Sequence, residues 1–496
     1  MSIRFYPVNP YEIKCEDYRV KINGQEVTTD TARVSAVPFN RRWPGHQRDM
    51  SQTELVNFVS LAADEVLEVE VLPAKPFEKA LIRPLGSCGK AEIGEDGWIR
   101  FRIAKPGFYT VEPYGRNHAL HLFVDPVKEY DVDKNADHVI YFGPGVHEPG
   151  TIYMESGQTL FLDEGALVYG CIRAIDVDNV KILGRGILDN SHHKEKILFE
   201  VHAEDNDAAI LNAERTHTVQ IEYCTNVEVD GITIRDSLVY NIRPIGCENL
   251  RINGVKIIGS WRYNADGIDM HNCVNVHISN CFIRTFDDSI CVKGFDYTQD
   301  EAEMYRNGKS YDVFKDVLVE NCTIWNDWNK CLEIGAECRA KEICNIVFKD
   351  CRVIHVNASV LDCNNVDYAD VHDVTYENII VEYDDEIPAP VLQRKDAEVY
   401  QNPDPDYAPN LLMMLIEHHH EYSAGGTRRG KMRNFLFKNV ELIGRQSPAF
   451  YFAGFDEEHK CENIVIENLT WNGQKVTRLP ADKFVIGAFC ENVKLI

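Results

Sequence analysis

Nine stretches of this chain repeat one pattern, and a repeat of that period leaves few folds open. They are NVKILGRGI from Asn179, NVEVDGITI from Asn226, NLRINGVKI from Asn249, NVHISNCFI from Asn275, DVLVENCTI from Asp316, NIVFKDCRV from Asn345, DVTYENIIV from Asp373, NFLFKNVEL from Asn434 and NIVIENLTW from Asn463. Most neighbouring starts lie 23 to 29 residues apart, a spacing that belongs to solenoids. Each unit holds two alternating segments, such as Val227 and Val229 followed by Ile232 and Ile234, the period-2 signature of strands. Between them, in every full copy after the first, stands an Asn or Asp: Asp230, Asn253, Asn280, Asn321, Asp350, Asn378, Asn439 or Asn468. These residue types tolerate the left-handed backbone region and bond nearby main chain, so a bend at the same place in every coil is expected. The residue after the bend is Gly231, Gly254, Cys281, Cys322, Cys351, Ile379, Val440 or Leu469, small or apolar, as an inward column requires. The expected fold is all-β, a right-handed parallel β-helix with coils stacked about 4.8 Å apart.

A chain of 496 residues outgrows one compact core unless that core extends along an axis, as it does in a solenoid. The first 130 or so residues lack the repeat; strand-like pieces such as EVLEVEVL and GWIRFRIA alternate there with Pro and Gly turns. This predicts an N-terminal β-sandwich-like domain over 1–135 and a β-helix catalytic domain over 136–496, with HLFVDPVKEYDVDKNADH bridging the two. An insertion at about 385–433 carries DDEIPAPVLQRKD, QNPDPDYAP and EHHHEYSAGG; it reads either as a solvated loop or as a flap over a groove. His418, His419 and His420 are not spaced for two ligands on one helix face, so no metal is expected there.

A hydrophobic fraction of 44% without a long uncharged apolar run points to a folded chain with no membrane span. The opening MSIRFYPVNP has no charged-then-apolar leader, and the expected location is cytoplasmic. A formal charge of −26 opposes phosphate backbones and anionic membranes, so neither a nucleic acid nor a membrane is expected as partner. The 16 cysteines form no CxxC pair and no Cys/His cluster of zinc-finger spacing. Reduced thiols in the coil core are expected, with no metal and no cofactor.

The residues that carry chemistry lie in YNADGIDMHNCVNVHISNCFIRTFDDSICVKG, which holds Asp266, Asp269, Asp287 and Asp288. Asp266 and Asp287 are 21 residues apart, close to one coil, so stacking brings both to one face of the solenoid. Asp287 and Asp288 cannot both point inward along an extended strand, so at least one faces the groove. Packed carboxylates repel, and one of them then keeps its proton to a higher pH than it would alone. Glycoside hydrolysis needs that pairing of an acid with an ionised carboxylate. A plain turn at Asp266-Gly267, or a Ca²⁺ site, suits the same residues, and Asp269 is the most readily structural of the four.

These motifs resemble the polygalacturonase-type glycoside hydrolases of family 28 and, more loosely, the dextranase-type family 49. Asn264-Ala265-Asp266-Gly267 is similar to the family's Asn-Thr-Asp-Gly, Asp287-Asp288 with Ile290 and Lys293 to its Asp-Asp motif, and GRGILD at Gly184 to Asp189 to its early Gly-x-Gly-x-Ile-Asp. The resemblance spans roughly 138–360. It implies Asp287 as general acid, Asp266 and Asp288 as holders of the attacking water, and inversion at the anomeric carbon. Where the family carries Gly-His-Gly, this chain reads Asn329-Lys330-Cys331-Leu332-Glu333-Ile334-Gly335, and the Arg-x-Lys that grips a galacturonate carboxylate has no match. A neutral or differently substituted sugar is therefore expected. Asn264, His271, Lys293, Trp328, Lys330 and Glu333 are the candidate substrate contacts, with Glu337 beside them; Trp325 and Trp328 suit either a sugar ring or the core. The expected activity is that of a glycoside hydrolase on an oligo- or polysaccharide. A lyase or cyclising glycosyl transferase on the same fold, and a non-catalytic carbohydrate-binding solenoid, are the competing classes.

Overall fold

The structure is a computed structural model, and it describes residues 3–9, 14–36, 52–192, 217–296, 301–383, 407–420 and 422–496. Among the described residues two long parallel ladders dominate. One runs through twelve strands, from Val139–Phe142 to Cys490–Leu495; the other holds two strands of each coil and begins at Gly145–Tyr153. Every coil contributes to both, so each strand pairs in parallel with its counterpart one coil away. The fold is a right-handed parallel β-helix, the hand that parallel crossovers adopt almost without exception.

Alternation decides which side chains enter the coil. Leu250 and Ile252 pair with Val276 and Ile278, which pair with Val317 and Val319 and then Ile346 and Phe348; all are buried in one continuous core. Each fully buried Val, Ile or Phe contributes about 1.5–3 kcal/mol relative to its exposed state. Aromatic rings stack from coil to coil in the same way, Phe348 on Tyr376 at 4.7 Å and Tyr376 on Phe437 at 5.1 Å. Cys281, Cys322 and Cys351 occupy the inward column as expected, and all sixteen cysteines are free thiols.

Two columns of Asn and Asp hold the corners. The repeat starts, Asn179, Asn226, Asn249, Asn275, Asp316, Asn345, Asp373, Asn434 and Asn463, all have φ between 56° and 60°, a bend that the strand-like pattern around them conceals. At the second corner Asn280, Asn321, Asp350, Asn378, Asn439 and Asn468 have φ between 52° and 56°. Asp230 and Asn253 depart from expectation: Gly231 and Gly254 take the positive φ there, at 81° and 62°, because a glycine meets no Cβ penalty. Side-chain amides tie coil to coil, with Asn249 Nδ2 donating to Asn226 Oδ1 at 3.0 Å and Asn378 Nδ2 to Asp350 Oδ1 at 2.8 Å.

Before the coils, a six-stranded sheet that includes Thr53–Ala63 and Leu120–Asp125 faces a five-stranded sheet that includes Tyr18–Ile22 and Leu67–Pro73. Their shared core makes this part sandwich-like. Residues 121–125, read as bridge from the sequence, are strand in the first sheet. That sheet's outer face packs on the β-helix, where Phe58, Phe108 and Phe123 meet Ile258, Phe282, Trp325 and Ile354. Buried ion pairs cross the same contact, Lys256 Nζ to Asp125 Oδ2 at 3.0 Å and Arg83 to Glu382 at 2.7 Å, and His355 bonds Glu112 there at 2.9 Å.

Part of the stretch read as an insertion is regular coil. Asn410–Ile416 is a regular coil strand, paired with Ser359–Asn365 before it and Phe450–Ala453 after it. Asp367 accepts the main-chain N–H groups of Ala424 and Gly425, and the ring of His419 stacks between His420 and Tyr422. The segments DDEIPAPVLQRKD (384–396) and QNPDPD (401–406) lie outside the described residues.

The corner columns generate a test. Asn378→Ala removes both the amide link and the residue type that tolerates φ of 56°, and should lower unfolding free energy by about 1–3 kcal/mol. Asn378→Gly keeps the backbone free and should cost less. Equal losses in urea midpoints would show that left-handed tolerance is not what this residue supplies.

Candidate active site

The acidic residues sit at a third corner of the coil, in the turns that enter one strand of each rung. Asp266 precedes Ile268–His271, Asp287 and Asp288 precede Ile290–Lys293 one coil later, and Trp328 and Asn329 precede Lys330–Ala336. Backbone bonds clamp these turns in register: Gly267 N–H donates to Asp288 O at 2.8 Å, and Ser289 N–H to Lys330 O at 2.9 Å. Position 267 must be glycine, because a Cβ there would lie 2.2 Å from Ser289 O. Asn326 braces the stack with its amide, donating to Asp287 O at 2.6 Å and Lys330 O at 2.9 Å.

The strands that follow alternate cleanly. Ile268 and Met270, Ile290 and Val292, and Leu332 and Ile334 enter the core. The residues between them face outward in a column of register partners, Asp269, Cys291, Glu333, Asp362 and Met413. The stacking predicted for Asp266 and Asp287 therefore holds: Asp266, Asp287 and Asp288 each place an oxygen within 4.8 Å of the others. All three are buried, and both aspartates of the pair lie in the turn rather than along a strand.

Asp287 is the most firmly oriented. Its Oδ2 accepts from the Asn264 N–H at 3.1 Å, and its Oδ1 accepts from Asn329 Nδ2 at 2.8 Å and from the Asp288 N–H at 3.1 Å. Burial, then the neighbouring Asp288, pushes its pKa up to about 7 despite those donors. Burial together with Asp269 and Asp287 holds Asp266 well above the usual carboxylate range. Lys293 sits among the carboxylates, with its ammonium 2.9 Å from Asp269, 3.6 Å from Asp266, 3.8 Å from Asp288 and 3.9 Å from Glu337. Burial, the largest single influence, would raise Asp269, but Lys293, His271 and Cys291 together outweigh it and keep that carboxyl low. One coil on, Lys330 contacts Glu333 at 2.5 Å and Asp362 at 3.3 Å.

Several oxygens in this cluster lack hydrogen-bond donors. Asp266 Oδ1, Asp269 Oδ1 and Asp288 Oδ1 are buried with no partner among the described residues. A buried acceptor left unpaired costs about 1–3 kcal/mol. Such a concentration marks a place where donors from outside the chain can complete the bonding.

The other expected contacts divide. Lys330 and Glu333 face the outward column beside the acids, and Asn264 acts through its main-chain N–H on Asp287. His271 is wholly buried; its Nδ1 bonds Gly294 O at 3.0 Å, and burial with the nearby Arg243 lowers its pKa to about 4. Trp328 stands in a closed aromatic cluster, stacked on Phe286 at 4.9 Å with Tyr263 edge-on at 5.5 Å, rather than open as a platform. Trp325 is fully buried against the sandwich, beneath the Arg284 guanidinium at 4.0 Å, so its place is the core. Cys291 and Asp362 went unread in the sequence. Column arithmetic from Asp269 and Glu333 reaches both, once the long excursion between Cys291 and Glu333 is allowed for.

Comparison with known proteins bears on both fold and family. Residues 147–392 match the family model for glycosyl hydrolases family 28. A probable polygalacturonase of Vitis vinifera is 25% identical over 130 residues, 26% of this chain and 25% of that protein; the chain thus spans about a quarter of the length of the curated relative it matches. Among solved structures, Dex49A from Penicillium minioluteum superposes with a TM-score of 0.63 at 14% identity, covering 99% of this chain and 96% of that one. A hyperthermoactive exopolygalacturonase from Thermotoga maritima gives a TM-score of 0.47 at 20% identity, over 72% and 83% of the two chains. The architecture is therefore the right-handed parallel β-helix, shared almost end to end with Dex49A. Within that class, residues 147–392 carry the similarity to glycosyl hydrolases family 28.

The raised Asp287 pKa has a consequence for stability. Between about pH 4 and 7 the unfolded chain has ionised this carboxyl while the folded chain keeps its proton, so its contribution to stability falls as pH rises through that window and is lowest above pH 7. Asp287→Asn removes the dependence. The melting temperature of the variant should gain on wild type between pH 4 and pH 8; a constant difference would show that Asp287 does not hold its proton in the fold.

Proposed function

We propose that the chain hydrolyses O-glycosidic bonds of an oligo- or polysaccharide with inversion, Asp287 serving as general acid and Asp266 and Asp288 holding the attacking water. The observation that carries this reading is the trio of buried carboxyl groups with oxygens within 4.8 Å of one another and unpaired acceptors beside them. Asp287 suits the acid role because it is oriented on both oxygens and keeps its proton to about pH 7, where an acid catalyst is most effective. Its proton passes to the departing glycosidic oxygen as the bond to the anomeric carbon breaks.

Two carboxyl groups that flank a sugar and a water between them commonly stand about 6.5–9.5 Å apart. Here all three carboxyl groups lie closer than that; on this reading the water sits against Asp266 and Asp288, its attack leaving the proton with that pair. Lys293 offsets part of their charge while the site stays buried.

The substrate we infer is a neutral sugar chain. Among the described residues, Asp266, Asp269, Asp287, Asp288, Glu333, Glu337 and Asp362 surround Lys293 and Lys330, whose ammonium groups already face carboxylates. A uronate brought here meets repulsion instead of a free cation. Lys330 and Glu333 would bond sugar hydroxyls on the next coil, with Lys293, Asn264, His271 and Trp328 shaping the acid turn behind them.

Incubation with neutral and acidic oligosaccharides, followed by proton NMR of the fresh anomer, tests the whole reading. Wild type should release new reducing ends of inverted configuration, fastest on a neutral chain, with the rate falling as pH rises through about 7. Asp287→Asn should lose about 10²–10⁴-fold. A retained anomer overturns the water assignment, and an unsaturated product overturns hydrolysis.

A further inference from the structure

We propose that Glu342, Cys344 and His372 form a zinc-type divalent metal site on the outer face of the twelve-stranded sheet, on a different sheet from the carboxylate column. Glu342 and Cys344 lie two apart on Glu342–Lys349, and His372 lies on Asp370–Glu377 one coil later. Cys344 and His372 are register partners, and their neighbours Ile343 and Val371 enter the core. The three side chains therefore project together to the outside. One ligand atom from each lies within 4.8 Å of the other two.

The hydrogen bonds of His372 sharpen the case. Its Nδ1 contacts Asp373 Oδ2 at 2.8 Å, and Asp373 is itself fixed by Asn434 Nδ2 donating to its other oxygen at 3.0 Å. With the ring proton on Nδ1, Nε2 directs a lone pair at Glu342 Oε1, 2.8 Å away. That separation is a hydrogen bond, whose proton a metal ion taking both atoms as ligands replaces. A carboxylate behind the far nitrogen of a ligating histidine is the arrangement that orients imidazole toward zinc. Thiolate, imidazole and carboxylate together suit Zn²⁺ and not the oxygen-seeking Ca²⁺ or Mg²⁺.

Two cations flank the cluster, Lys315 beside Cys344 and Arg433 beside His372. Arg433 is held by Asp370 at 2.9 Å and Lys315 is exposed, so neither fills the space between the ligands. Binding displaces the Cys344 thiol proton and the proton shared by His372 and Glu342, and the ion takes a water as fourth ligand. The product is a staple between two successive coils.

The test is titration of Co²⁺ into the metal-free, reduced full chain. One equivalent should give tetrahedral visible bands and a thiolate-to-cobalt charge-transfer band, both displaced by Zn²⁺. Cys344→Ser should abolish the charge-transfer band, and Asp373→Asn should weaken binding by about 10–100-fold. X-ray absorption of the zinc-loaded wild type should show one sulfur at about 2.3 Å, a readout that needs no variant. No charge-transfer band at one equivalent, its persistence in Cys344→Ser, or a zinc shell of nitrogen and oxygen alone would overturn the site and leave a histidinium salt bridge in its place.

Discussion

Everything in this molecule rests on a backbone constraint repeated at two corners of each coil: a residue at φ near +55°, mostly Asn or Asp, whose side chain ties it to the same corner one coil away. An ordinary L-residue there costs roughly 1–2 kcal/mol, and Asn lowers that cost while supplying a donor and an acceptor along the axis. Because the corners coincide, strands of successive coils pair without slipping. A slip by one residue would turn every side chain to the other face, putting Ile268 and Ile290 into the groove and Asp269 and Cys291 into the core. The meeting of Asp266 with Asp288 across one coil is thus a consequence of asparagines far from either.

That register brings together more negative charge than the interior can hold ionised. The seven carboxyl groups named above face two ammonium groups, all of them buried or nearly so. Burial with nearby carboxylates raises Asp266 and Glu333 well above the usual range, and burial leads the rise of Glu337 and Asp362. The cluster therefore holds protons to a higher pH than isolated carboxyls would, and the donors on Asp287 fix the orientation of one group that carries them. Unpaired acceptors in the cluster weaken the fold, and on the proposed function the same groups would bond sugar hydroxyls.

Much of this was legible in the chain. Asn and Asp at fixed intervals, with β-branched residues alternating around them, announce a coil and its inward columns, and the separation of Asp266 from Asp287 announces their meeting. What the sequence conceals is contact across irregular gaps. Asp362 and Cys291 belong to the acidic column, but Cys291 reaches Glu333 only past the excursion that carries Tyr305–Arg306 and Lys309–Ser310. Trp325 shows the same blindness from the other side. Nothing in Trp325-Asn326-Asp327-Trp328 tells which indole faces the sandwich, because that depends on Phe123 and His121, two hundred residues earlier. The Cys344–His372 pair also escapes a search for short ligand spacing, since its spacing is one coil.

The N-terminal sandwich gains a role from this geometry that its position in the chain does not suggest. Arg116 donates to the main-chain oxygen of Asn326 at 3.1 Å, and the Asn326 amide in turn holds the main-chain oxygens of Asp287 and Lys330. Arg284, on the strand that leads into Asp287, is bonded by His121 at 2.9 Å and by Asp327 at 3.3 Å. Removing one partner of such a buried pair typically costs 3–5 kcal/mol, because the charge left behind has no solvent. The sandwich therefore braces the coil that carries the carboxyl turn from behind, fixing Asp287 on the side away from any substrate while the asparagine corners fix it along the axis.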